Sequence, residues 1–100
     1  MISMERGNTR RIKITLYDED GEVVDANVDS VKITICFQDN TVVLAATTMI
    51  HNSTGVYIYL FTPASTINIG IYFIEITATF GSQYHVNREQ LYICDIISGE

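Results

Sequence analysis

Gly70-Ile71-Tyr72-Phe73-Ile74-Glu75-Ile76-Thr77-Ala78-Thr79-Phe80 decides the fold, because every second side chain in it is apolar and no helical period runs through it. Strand alternation sends Tyr72, Ile74, Ile76, Ala78 and Phe80 to one face and Ile71, Phe73, Glu75, Thr77 and Thr79 to the other. The stretch Gly55-Val56-Tyr57-Ile58-Tyr59-Leu60-Phe61 opens in the same way, with glycine, an aliphatic residue and tyrosine. Here both faces are apolar, which predicts a strand covered on both sides. Pro63 ends it, since proline has no amide hydrogen to give to a ladder. From Asn40 to Asn87 the only formal charge is Glu75.

The same period-two reading extends outward. Arg11–Tyr17 alternates with Ile12, Ile14 and Leu16 inward, and Val31–Phe37 with Val31, Ile33, Ile35 and Phe37 inward, which turns Cys36 outward. Asp20-Gly21 supplies a tight reversal between them. Val42–Thr47 reads as a short strand and Met49–Thr54 as a loop. Gly81-Ser82-Gln83 turns the chain into a last extended run from Tyr84 to about Ile93. Residues 1–10 read as a polar arm in front of a single domain spanning 11–100. The sum is about seven short strands at roughly ten-residue spacing, which predicts an all-β, immunoglobulin-like antiparallel β-sandwich with Greek-key connections. A small barrel is the other arrangement open to such a pattern.

Composition bounds the function classes. One hundred residues form one core, and a charged share of 18% lies below the roughly 25% of ordinary soluble domains. A single domain of this size has too little interior to hide both faces of the two Gly-x-Tyr strands, so part of that apolar surface is expected to meet another protein. The net charge of −6, with no lysine or arginine between Lys32 and Arg88, argues against nucleic acid. Arg6, Arg10, Arg11 and Lys13 read as a solvated arm and edge strand, where positive charge blocks unwanted sheet pairing. The first six residues lack the apolar core of a signal peptide, so a cytoplasmic or virion location is expected. No apolar run reaches the eighteen or so residues of a membrane helix, and the chain is too short for a membrane barrel, so no membrane partner is expected.

No catalytic, cofactor or metal constellation is expected. Asp18, Asp20 and Asp25 lack the spacing of a calcium loop and read as turn residues. His51 and His85 stand alone, without a nucleophile beside them. Cys36 and Cys94 read as free thiols, since the strand opening at Ile71 carries no cysteine for an inter-sheet bridge. Tyr57, Tyr59, Phe61, Tyr72, Phe73 and Tyr84 raise a carbohydrate reading, opposed by core packing of the inward ones. The residues left facing outward are Val56, Ile58, Leu60, Ile71 and Phe73, the expected interface. They form two small patches if the Gly-x-Tyr strands fall in opposite sheets and one patch if the strands are neighbours. A slip of one residue in Val56–Phe61 would bury them and expose the tyrosines instead.

Ile12-Lys13-Ile14-Thr15-Leu16-Tyr17-Asp18-Glu19-Asp20-Gly21, with the two Gly-x-Tyr strands and the proline link between them, resembles the immunoglobulin-like modules of tailed-bacteriophage structural proteins. It is similar in particular to the amino-terminal module of baseplate upper proteins, and more distantly to sandwich repeats of macroglobulin type. The resemblance covers about residues 11–93. It implies a non-enzymatic virion accessory protein, in head decoration or in the tail, whose partner is a second copy or another structural protein. A glycan-binding module and a small inhibitor of a host protein are the alternatives.

Overall fold

The computed structural model describes residues 2–94, so the last six residues of the expected domain lie outside it. Among the described residues the chain forms eight strands and no helix. These are β1 (Ile2–Glu5), β2 (Arg10–Thr15), β3 (Lys32–Phe37), β4 (Val42–Thr48), β5 (Ile50–Ser53), β6 (Val56–Phe61), β7 (Gly70–Phe80) and β8 (Gln83–Cys94). Among the described residues no helix is long and apolar enough to cross a membrane. β-Branched and aromatic residues fill the alternating runs, and turn residues punctuate them. At Gly81 (φ 60°) the chain reverses between β7 and β8, which pair over their whole lengths from Gly70↔Ile93 to Phe80↔Gln83.

Two sheets pack face to face. The larger has the order β1-β8-β7-β3-β4 and the smaller β2-β6-β5. The chain therefore changes sheet between β1 and β2, β2 and β3, β4 and β5, and β6 and β7. All ladders are antiparallel except β1 with β8, where Ile2↔Leu91 through Glu5↔Cys94 run parallel. The core lies between the sheets. Ile33, Ile35, Tyr72, Ile74, Leu91 and Ile93 of the larger sheet meet Ile12, Tyr57 and Phe61 of the smaller, with Val31 and Met49 contributed from the connections.

The inward sets expected for β2, β3, β6 and β7 are those observed, and the register of Val56–Phe61 is as read: Tyr57 and Phe61 are buried. Three expectations are corrected. The polar arm is folded in, because Ile2-Ser3-Met4-Glu5 forms β1 and Met4 is buried against the end of β8. Met49–Thr54 is not a loop: Ile50–Ser53 is β5, an exposed edge strand held by its ladder to β6. The second face of β6 is only partly covered: Val56 and Ile58 are half-buried, and Leu60 is 55% exposed.

Candidate interaction surface

The two Gly-x-Tyr strands fall in opposite sheets, so the five outward residues divide into two patches. On the smaller sheet, Val56, Ile58 and Leu60 lie along the outer face of β6. Their cross-strand neighbours on β2 are Thr15, Lys13 and Arg11, and Ile50 of β5 stands opposite Ile58. Val56 and Ile58 are half-buried by these neighbours, which leaves Ile50 and Leu60 as the exposed apolar pair.

The second patch is broader. Directly opposed residues of a ladder share a face, and the register sets Tyr92 of β8 beside Ile71 of β7, Phe73 of β7 beside Cys36 of β3, and Cys36 beside Val42 of β4. The outer face of the larger sheet thus carries an apolar row across four strands. Phe73 and Tyr92 are each 40% exposed and Val42 is 57% exposed. Sequence reasoning found Ile71 and Phe73 and turned Cys36 outward, but it missed Tyr92 and Val42. Their outward position was available from alternation, whereas their adjacency depends on which strands pair.

Beside this row lies a shallow depression of about 680 Å³, lined by Thr34, Cys36, Asn40, Phe73, Glu75 and residues 88–90. Glu75, the lone charge of the middle of the chain, accepts a hydrogen bond from Arg88 Nε at 2.9 Å, directly across the β7–β8 ladder. Both side chains are exposed enough for solvent to screen them, so the pair contributes at most about 1 kcal/mol. Its effect here is to neutralise the face rather than to charge it.

The remaining candidate groups serve the fold. Asp18 Oδ1 accepts the amide hydrogens of Asp20 and Glu22 at 2.9 and 3.0 Å, which builds the turn around Gly21. Asp25 accepts from the Gly55 amide at 2.6 Å and contacts His51 Nε2 at 3.0 Å. The Gly55 amide, and then His51, hold its carboxyl below the usual carboxylate range. This pair, 26 residues apart in sequence, was invisible to spacing arguments. Among the described residues no three His, Cys, Asp or Glu side chains come together as metal ligands. Cys36 and Cys94 are free thiols.

Of the aromatic residues raised for a sugar, Tyr57, Tyr59, Phe61 and Tyr72 point into the core, and only Phe73 and Tyr84 are exposed. Tyr57 Oη accepts the Ala26 amide hydrogen at 3.1 Å, and Tyr72 Oη donates to the Asn68 carbonyl. The hydroxyls of Tyr57 and Tyr72 thus each have a partner, as buried tyrosine requires. No protein-family model matches the chain, and no curated protein matches it.

Proposed function

We propose that the protein is a non-enzymatic assembly module that joins copies of itself, or a copy to another structural protein, through the outer face of its larger sheet. The observation that carries this reading is the apolar row of Tyr92, Ile71, Phe73, Cys36 and Val42 on a face whose nearby ion pair, Glu75 with Arg88, is self-neutralised. Single exposed hydrophobes are ordinary, but a contiguous row on a flat sheet marks an interface. The strand orders β1-β8-β7-β3-β4 and β2-β6-β5, with repeated crossings between the sheets, support an immunoglobulin-like Greek-key arrangement. By the resemblance of its strand pattern, the setting is a phage or prophage virion, as head decoration or a tail component.

Light scattering on a size-exclusion column at two protein concentrations tests the reading. The expected mass is a multiple of 11.2 kDa that returns to the single-chain value in Phe73→Asp. Phe73 faces outward, so the substitution leaves the core intact, and an unchanged circular dichroism spectrum verifies this. A wild-type protein that stays at 11.2 kDa at the higher concentration refutes self-assembly through this face.

A further inference from the structure

The edges of the two sheets differ in how well they are guarded against pairing with another chain. β4 is broken by register shifts against β3 on either side of Ile35, and β5 by one against β6 between His51 and Ser53; such bulges spoil an edge as a template. β2 carries the exposed cations Arg11 and Lys13, a second device of the same kind. The remaining edge is shared, because β1 covers β8 only over Leu91–Cys94 and leaves Gln83–Gln90 with no strand beside it. This stretch contains no proline, and its ladder to β7 runs without a register shift. Its one cation, Arg88, is bonded to Glu75 at 2.9 Å.

Hydrogen bonds at either end fix which way the backbone of this edge points. The Cys94 carbonyl accepts the Arg6 amide hydrogen at 3.0 Å, just past β1, so the backbone groups of Cys94 turn away from β7. On β7 the Thr79 carbonyl accepts from the Asn27 amide, so Thr79 does not bond Tyr84 across the ladder. Antiparallel alternation therefore points the N–H and C=O groups of Tyr84, Val86 and Arg88 out of the sheet. The side chains of the same residues share the outer face with Thr79, Thr77 and Glu75, their ladder partners. Tyr84 and Val86 are 66% and 49% exposed there. Gln90, the next residue of the set, gives its amide hydrogen to Glu89 Oε1 at 3.3 Å.

We propose that Gln83–Glu89 pairs with the same segment of a second copy, antiparallel about a two-fold axis at Val86, so that two larger sheets become one continuous sheet. In this register Val86 faces Val86, Tyr84 of each copy faces Arg88 of the other, Gln83 faces Glu89 and His85 faces Asn87. A tyrosine ring beside a guanidinium is a favourable pair, and no like charges stand opposed. Arg88 and Glu89 cancel, so the strip is neutral although the chain carries −6. Every outward N–H and C=O of Tyr84, Val86 and Arg88 then has a partner. Neighbouring registers do worse. An axis at Asn87 sets Gln83 against Leu91, where Ile2 already sits; one at Arg88 sets arginine against arginine; one at His85 leaves Arg88 opposite Ser82 in the turn. One added strand pair lies at the low end of protein interfaces, below about 1,200 Å². The edge contact is thus weaker than the outer-face contact and forms at millimolar rather than micromolar concentration.

The test uses the intact chain carrying Phe73→Asp, which removes the outer-face contact, so its outcome is separate from that of the wild-type mass measurement. Hydrogen exchange read by NMR is expected to slow severalfold between dilute and millimolar samples at the amides of Tyr84, Val86 and Arg88. Val86→Lys and Val86→Glu are exposed changes outside the core, and an unchanged circular dichroism spectrum verifies that each folds. Either alone sets like charges together on the axis and is expected to weaken the slowing; the equimolar mixture sets lysine against glutamate and is expected to restore it. Four results overturn the proposal: no concentration dependence at these amides; slowing at Lys13 and Thr15 of β2 in their place; slowing undiminished in both single variants; or a mixture no better protected than its components.

Discussion

Replacing Gly55 with alanine separates two costs that glycine avoids. Gly55 has φ +73°, and a Cβ there would sit 2.9 Å from the Val24 amide nitrogen, 3.0 Å from Val23 Cβ and 3.1 Å from the Leu16 carbonyl oxygen. Gly21 has a similar φ of +81°, but a Cβ there meets nothing within 4 Å. Both alanine variants carry the left-handed penalty of about 1–2 kcal/mol. Only Gly55→Ala must also displace backbone, and overpacking of this kind adds about 1–3 kcal/mol. The expected losses are therefore about 1–2 kcal/mol for Gly21→Ala and about 2–5 kcal/mol for Gly55→Ala. Against a total stability of about 5–15 kcal/mol the second is severe. Urea titration followed by circular dichroism measures both, and the chain has no tryptophan to report instead. Each kcal/mol moves Tm by about 4–8 °C in a domain of this size, so thermal melts give the same ranking. Equal losses in the two variants would refute the steric argument, and with it the claim that β2, the Val23–Val24 segment and the β5–β6 turn are locked together at this point.

Two further outcomes follow from the tyrosine and carboxylate geometry. Tyr72→Phe keeps the ring in the core and deletes the bond to the Asn68 carbonyl, an expected loss of about 1 kcal/mol by urea titration. Burial, and then the negative charge of Asp39, raises the Tyr72 phenol above 10.0. The wild-type protein therefore keeps this contribution below its unfolded value and loses it as pH climbs through the raised folded one. The phenylalanine variant lacks that alkaline decline, and an identical decline in both proteins would contradict the assignment. Asp25 has the opposite sign: its carboxyl lies below 3.8, so its contribution is present above that value and disappears as pH falls through the lower folded one. Acid titration of Asp25→Asn should show a shallower loss of stability in that window than the wild type, and an unchanged slope counts against the Gly55 amide as the cause.

Most of the sandwich interior was legible because it depends on local alternation. Ile12, Ile33, Ile35, Tyr57, Tyr72, Ile74 and Ile76 each stand in a run long enough to declare its period, and all are buried. β1 and β5 escaped for different reasons. Ile2-Ser3-Met4-Glu5 is too short to establish a period, and its partner is Leu91–Cys94 at the far end of the chain. Ile50-His51-Asn52-Ser53 has no inward apolar set at all, and every residue of it is exposed. Such a strand is specified by the neighbour's free edge and not by its own side chains. The apolar row of the larger sheet was half legible for a related reason. Alternation states which face a residue takes, but only register states that Val42 lies beside Cys36 and Tyr92 beside Ile71.

The polarity of β7 and β8 changes along their shared ladder. At the covered end the inward positions of both strands are apolar, Tyr72 against Leu91. Toward the hairpin they diverge: Ile76 pairs with Asn87, Ala78 with His85 and Phe80 with Gln83. β7 stays apolar there because its side chains pack into the core, whereas β8 from Gln83 to Gln90 is exposed and turns polar. β7 and β8 run for 11 and 12 residues, whereas β2 and β6 of the smaller sheet have 6 each. The hairpin is longer than the strands facing it, yet Ile76 and Ala78 remain buried, and His85 lies edge-on against Phe80 with ring centroids 5.2 Å apart.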